Sequence, residues 1–281
     1  MKIIECPRDA MQGVQQFIPT EQKIAYINQL LRVGFDTIDF GSFVSPKAIP
    51  QMSDTAEVLA NLDLEGTPSK LLAIVANVRG AEDAAQHEQI AYIGFPLSVS
   101  ETFQQRNTNK SIAEAMEQLA HIQNICQQHN KTLVTYISMG FGNPYNDPWD
   151  AETVIEFVEK LHQLQVKIIS LSDTIGVSDP KNIDYLFRHL IPAFKDIEFG
   201  AHLHTTPTTW QEKVEAAYHA GCRRFDGALR GYGGCPMAKD ELVGNMPTEN
   251  LISYFENIGL NLNLNKAAFA AAMAQSGVVF S

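Results

Sequence analysis

Short apolar runs rich in Ile, Val, Leu and Phe alternate along this chain with longer stretches in which apolar residues recur every three or four positions. The short runs predict strands over 2–5, 35–40, 70–76, 89–95, 131–138, 166–172, 197–203 and 222–228. The amphipathic stretches predict helices near 20–33, 53–61, 80–86, 111–129, 150–164, 180–193, 209–220 and 248–258. Eight strand–helix units in succession predict an α/β fold, a (β/α)8 TIM barrel, with a doubly wound open sheet as the alternative. Local signals agree. Thr20-Glu21-Gln22-Lys23 reads as a helix N-cap with acid in its first turn, and Gly34 and Gly221 read as helix stops. The turn-rich stretch 140–149 predicts a long loop over one barrel mouth, and 229–247 predicts a second. Residues 262–281 read as a short appended C-terminal helix and tail, so the expectation is one catalytic barrel domain over 1–281.

The chain has 281 residues, 45% of them hydrophobic, enough for one large barrel core. Its net charge of −11 is a poor match for nucleic acid, though a locally positive site could still take an anionic metabolite. Cys6, Cys126, Cys222 and Cys235 are sparse and unpatterned, which indicates neither a disulfide scaffold nor a Cys-rich zinc site and fits a reduced cytoplasm. No 18-residue apolar stretch occurs, so no membrane span is expected. Lys2–Glu5 already reads as a strand, which leaves no room for a leader peptide.

In a TIM barrel the active site lies at the C-terminal ends of the strands. The polar residues gather there: Arg8 and Asp9 after strand 1, Asp39 at the end of strand 2, Asn77 after strand 3 and Ser138 at the end of strand 5. Asp173 and Thr174 follow strand 6, His202 and His204 end strand 7, and Asn245 lies in the loop after strand 8. Two histidines two apart on a strand face the same way and offer two imidazole nitrogens to one metal. Asp9 would add a carboxylate and Asn245 an amide oxygen; the bland alternative is a hydrogen-bonded polar barrel interior. Arg8, permanently charged, suits a carboxylate or a developing enolate oxygen, or else a salt bridge to Asp39 or Asp173. Cys235, between Gly233-Gly234 and Pro236, could move a proton from a loop that closes over substrate. Cys6, Cys126 and Cys222 read as packed core thiols, and His121, His129 and His162 as helix-surface histidines. Arg106, Lys110 and Lys239 could meet phosphates, with a solvated surface as the plainer reading.

These residues resemble the 3-hydroxy-3-methylglutaryl-coenzyme A lyase family of metal-dependent TIM-barrel lyases and synthases. The likeness runs through Pro7-Arg8-Asp9 with Gln12, Ser42-Phe43-Val44-Ser45-Pro46-Lys47 and Pro50-Gln51-Met52. It continues through Asp173-Thr174-Ile175-Gly176-Val177, His202-Leu203-His204, Gly233-Gly234-Cys235-Pro236 and Gly244-Asn245. The resemblance implies a divalent metal, magnesium or manganese, on Asp9, His202, His204 and Asn245. It implies Arg8 as electrophilic stabiliser, Cys235 as a mobile catalytic cysteine, and Asp39 and Asp173 as site acids. It implies an acyl-CoA substrate, with cleavage of 3-hydroxy-3-methylglutaryl-CoA to acetyl-CoA and acetoacetate, as in leucine degradation. The oligomeric state stays open, with a homodimer among the options. A related condensing enzyme or aldolase acting on an α-keto acid is the alternative, and a non-catalytic scaffold the second. Departures stand at Ala10-Met11, where the family usually has Gly-Leu, at Asp39 in place of Glu, and at Thr205 in place of Asp. The Cys235–Asn245 loop is one residue longer than usual.

Overall fold

The computed structural model describes residues 1–234 and 243–280. Eight parallel strands form a closed barrel: β1 Lys2–Glu5, β2 Thr37–Ser42, β3 Lys70–Ile74, β4 Ile90–Ser98, β5 Thr132–Ser138, β6 Ile168–Asp173, β7 Glu198–Thr205 and β8 Arg224–Gly227. Each strand pairs with its sequence neighbour, and β1 pairs with β8 to close the ring. The helices are α1 Pro7–Gln12, α2 Thr20–Leu31, α3 Thr55–Ala60, α4 Val78–Ala85, α5 Glu101–Thr108, α6 Ile112–Gln128, α7 Ala151–Gln163, α8 Pro180–Ala193, α9 Trp210–His219, α10 Thr248–Asn257 and α11 Lys266–Val279. The barrel and its appended C-terminal helix are those the sequence pattern predicts. Among the described residues no helix is long and apolar enough to cross a membrane.

Among the described residues the structure adds elements that the sequence reading does not contain. α1 starts directly at Pro7, where proline fits the first helical position because its missing N–H would have had no partner. α5 is an extra helix capped by Ser100, whose hydroxyl accepts from the Phe103 amide. The loop after β8 contains a 3-10 turn at Leu229–Gly231 and a two-residue strand, β9 Gly244–Asn245, antiparallel to β7. The expected Thr20 cap is also revised. Pro19 occupies the cap position, and the Thr20 hydroxyl instead donates to Asp54.

Period-two alternation decides what faces the barrel axis. On one parity, Ile38, Phe40, Leu71, Ile93, Phe95, Ile137, Leu171 and Phe225 pack into the main core between barrel and helices. On the other, Leu72, Tyr92, Val134, Tyr136 and Ile168 form an interior cluster. Each fully buried large apolar side chain contributes about 1.5–3 kcal/mol. Strand register then sets polar residues at the level of this interior cluster and above it: Asp39 opposite Leu72, Ser170 opposite Tyr136, and His202 opposite Ser172. At the opposite end Arg224, 1% exposed, lies 3.8 Å from Glu198 and 3.9 Å from Asp36, and Lys2 pairs with Glu198 at 2.8 Å. The floor is thus closed by ion pairs and the chemistry is left to the other mouth. α11 also reaches toward that mouth. Arg230 donates to the Met273 carbonyl and the Ser276 hydroxyl, and Phe280 stacks on Tyr232 at 4.5 Å between ring centroids.

Candidate active site

The turn from β1 into α1 sets Arg8 and Asp9 at the mouth, both buried. Arg8 holds Asp39 through Nε at 3.0 Å and Nη2 at 2.6 Å. Its Nη1 donates to Asp9 Oδ1 at 3.1 Å and to Gln12 Oε1 at 2.9 Å, while Gln12 Nε2 donates to the same Asp9 oxygen at 2.7 Å. The salt bridge weighed for Arg8 therefore exists, and its partner is Asp39 and not Asp173. One Nη2 hydrogen of Arg8 has no protein acceptor among the described residues. Burial pushes Asp39 up to about 6 although Arg8 pulls it down. Burial acts the same way on Asp9, but there the charges of Arg8, His202 and His204 win and hold it below the usual carboxylate range.

His202 and His204 lie side by side, ring centroids 5.4 Å apart. Each has one ring nitrogen occupied. His202 Nδ1 meets Asp226 Oδ2 at 3.1 Å, and His204 Nδ1 meets the Thr174 carbonyl at 2.9 Å. Both partners only accept, so each Nδ1 carries the proton and Nε2 is left with its lone pair. Burial, with the neighbouring His202 charge, brings His204 down to about 4, so its ring is neutral at pH 7. Burial also lowers His202, but its hydrogen bond and charge interaction with Asp226 outweigh this and leave it raised.

Asn245 reaches the site because β9 pairs it opposite His204. Its Nδ2 donates to Asp9 Oδ2 at 2.7 Å and to the Tyr232 carbonyl at 2.8 Å, which leaves Oδ1 as its ligand-type atom. Thr205, beside it on β7, is buried and pairs with Gly244. The donor set fits a divalent cation. Ligand atoms of Asp9, His202 and His204 all lie within 4.8 Å of one another. Buried His204 Nε2 also has no hydrogen-bond partner among the described residues, an arrangement that costs free energy unless something accepts the lone pair. One carboxylate, two imidazoles and an amide oxygen suit magnesium or manganese as well as softer first-row ions.

Asp173 is fully engaged elsewhere. It accepts from the Ser178 amide and hydroxyl, and from Lys213 Nζ at 2.7 Å. Thr174 supplies its carbonyl to His204 and accepts the Met139 amide on its hydroxyl at 2.8 Å. Asn77 caps α4 by accepting the Gly80 amide. Arg106 lies over the Tyr145 ring at 4.8 Å, and His162 pairs with Asp196 on the surface. Cys6, Cys126 and Cys222 are buried free thiols, as expected.

Cys235 and Lys239 lie outside the described residues. The approach to Cys235 is described. Gly233 and Gly234 have φ of +87° and +125°, and a Cβ at Gly233 would come within 2.8 Å of Asp9 O, Ala10 Cα and Asn245 Nδ2. Gly233 is thus required by close approach to the metal-type cluster, a reason the sequence reading, which invoked loop closure, did not supply.

Asp226, Lys213 and Glu5 were missed from sequence. Asp226 had a signal: Arg224-Phe225-Asp226 alternates charge with an apolar residue, so both charges face the axis. Lys213 sits next to Val214 and four residues before Ala217, on the buried face of α9.

Residues 2–275 match the family model described as HMGL-like. A hydroxymethylglutaryl-CoA lyase of Bacillus subtilis is 35% identical over 270 residues, covering 94% of this chain and 88% of that protein. A 3-hydroxy-3-isohexenylglutaryl-CoA/hydroxymethylglutaryl-CoA lyase of Pseudomonas aeruginosa is 31% identical over 267 residues, covering 95% and 88%. The solved structure of an HMG-CoA lyase from Acinetobacter baumannii with coenzyme A and 3-methylmalate superposes with a TM-score of 0.91 at 30% identity, covering 100% of this chain and 91% of that one.

Proposed function

This chain belongs to the HMGL-like family, and from that premise we propose that it is a carbon–carbon lyase cleaving 3-hydroxy-3-methylglutaryl-CoA to acetyl-CoA and acetoacetate. The observation that carries the reading is the convergence of Asp9, His202 and His204 ligand atoms within 4.8 Å, beside a buried arginine with a donor to spare.

The reaction is a retro-Claisen cleavage. The C3 hydroxyl of the substrate gives its proton to a base at the mouth, a carboxylate such as Asp39 or a histidine of the cluster. The C2–C3 bond breaks as the C3 carbonyl forms, and the electron pair becomes a thioester enolate that takes a proton at carbon. Asp9, His202, His204 and Asn245 would hold a divalent ion, magnesium or manganese. When bound, that ion supplies a Lewis acid that lowers the pKa of the tertiary alcohol. The free Nη2 hydrogen of Arg8 would bond the enolate oxygen, a role supported by the grip of Asp39 on the guanidinium's other edge. Cys235 delivers the proton to the enolate carbon. Asp173 acts from a distance, through the loop that carries Thr174. The whole chain, 1–281, serves as one catalytic barrel. A cytoplasmic setting fits the free thiols at Cys6, Cys126 and Cys222.

A panel of 3-hydroxyacyl-CoA thioesters, assayed with magnesium or manganese and without any keto acid, tests the proposal. The panel includes 3-substituents longer than methyl, because the P. aeruginosa relative is named for one. Release of acetyl-CoA from the methyl substrate is expected. Turnover only when an α-keto acid is supplied would make the protein a condensing enzyme instead.

A further inference from the structure

Lys213 is a buried lysine, 2% exposed, the fourth residue of α9. Its ammonium has three hydrogens and three acceptors: Asp173 Oδ2 at 2.7 Å, the His204 carbonyl at 2.9 Å and the Gly176 carbonyl at 3.1 Å. Asp173 ends β6, Gly176 lies in the loop between β6 and α8, and His204 is at the end of β7. Between Asp173 and Gly176 lies Thr174, whose carbonyl takes the Nδ1 hydrogen of His204.

We propose that Lys213 is a positioning residue for the metal centre, clamping the β6–α8 loop to β7 so that Thr174 holds His204 as the Nδ1–H tautomer. The inference rests on the reading of His204 as a metal ligand. The chemistry is local. An imidazole binds a metal only through a nitrogen without hydrogen, so Nε2 must be bare, and it is bare because Thr174 fixes the proton on Nδ1. Asp173 keeps Ser178 as a partner when Lys213 is absent, so the C-terminal part of the loop stays anchored. Among the described residues the Gly176 carbonyl accepts from no donor besides Lys213, whereas His204 is also held by its pairing with Asn245, so the loop is the side that is released. Without the clamp the Thr174 carbonyl drifts from Nδ1, the ring proton redistributes to Nε2, and the nitrogen needed by the metal is blocked. The same loop touches the end of the segment after Cys235, since a Cβ at Gly176 would meet Val243 Cγ1 at 2.7 Å. The clamp therefore also supports the far end of that segment.

The test uses the full chain with 15N-labelled histidine, the His204 signals assigned by their loss in His204→Ala. Two variants are compared with the parent: Lys213→Met, and Lys213→Met with Asp173→Asn. The second removes the buried orphan charge that would otherwise threaten folding, because replacing both members of a buried pair costs far less than breaking it. In stripped protein the parent should show His204 as a single Nδ1–H tautomer, and both variants a mixture. Manganese titration followed by the free-ion EPR signal should show affinity lower by about 10- to 100-fold in the variants, the range for lost partners of metal ligands. Folded variants that keep the single tautomer and the parent's manganese affinity would overturn the proposal. A tautomer change in the variants of a parent that binds no manganese would uphold the clamp and sink the metal reading instead.

Discussion

Asn245 stands directly opposite His204 in the antiparallel pairing of β9 with β7, and its side-chain amide donates to Asp9 at 2.7 Å. A two-residue strand thus carries a fourth ligand-type group to a site built from α1 and β7. Chelation should abolish thioester cleavage, and magnesium or manganese should restore it. His204→Ala should weaken manganese binding by at least tenfold, measured by equilibrium dialysis, while the melting curve shows that the barrel persists. Full activity in metal-free protein would refute the ligand assignment.

Arg8 is gripped by Asp39 on one edge and keeps a donor on the other. If that donor meets the enolate, its contribution is made in the transition state. Arg8→Gln should then lower kcat on the order of 10²-fold with a smaller change in KM. The fold should tolerate the change, since burial already pushes Asp39 up to about 6 and losing Arg8 moves it further toward the neutral acid. A steep rise in KM at unchanged kcat would make Arg8 a clamp for the substrate carboxylate.

Much of this site is legible in sequence because strand parity is rigid. His202 and His204 must share a face, and Arg8 and Asp9 must follow the first strand. The aligned apolar runs also fix the barrel, since Ile38, Leu71 and Phe225 point outward only in one register. What sequence hides is pairing between distant segments. Nothing in Gly244-Asn245 announces a strand, because two residues carry no periodicity. Arg8 could have met Asp39 or Asp173 equally well on paper. The choice depends on Lys213, a lysine whose place on the buried face of α9 shows only when Val214 and Ala217 are read as its neighbours.

Glu5 makes a pH prediction. It is fully buried at the end of β1, accepting from the Leu229 amide at 2.9 Å and the Thr248 hydroxyl at 2.5 Å, and burial pushes its carboxyl up to about 8. The native protein therefore binds this proton more tightly than the unfolded chain, whose carboxyl titrates near 4.5. Stability is highest below pH 4.5 as far as this group is concerned, falls as pH rises from 4.5 to 8, and is flat above that. The full loss is on the order of 5 kcal/mol. Glu5→Gln, which mimics the neutral acid, should melt above the parent at pH 9 and approach it near pH 5. Parallel melting curves for the two proteins across that range would show that Glu5 is not held protonated.

The last prediction concerns Cys235. The chain enters it through Gly233, which passes so close to Asp9 and Asn245 that no Cβ fits. Two residues of chain span about 7 Å, so a thiol there would be within reach of a substrate bound to a metal on that cluster. Cys235→Ser should keep the fold and the manganese affinity, because serine fills the same space and contributes no ligand. It should lose most cleavage, because a hydroxyl is a far weaker acid than a thiol with a pKa near 8.5, and carbon protonation needs the stronger acid. Cys6→Ser, Cys126→Ser and Cys222→Ser provide the contrast. These thiols are buried, with pKa values pushed up by burial, so they are inert to alkylation in the folded protein. Their substitution should lower the melting temperature and leave kcat nearly intact. Iodoacetamide should inactivate the parent, bound acyl-CoA should protect it, and peptide mapping should place the adduct on Cys235. Near-normal turnover in Cys235→Ser would remove the cysteine from the chemistry, and the proton would then have to come from another group at the mouth.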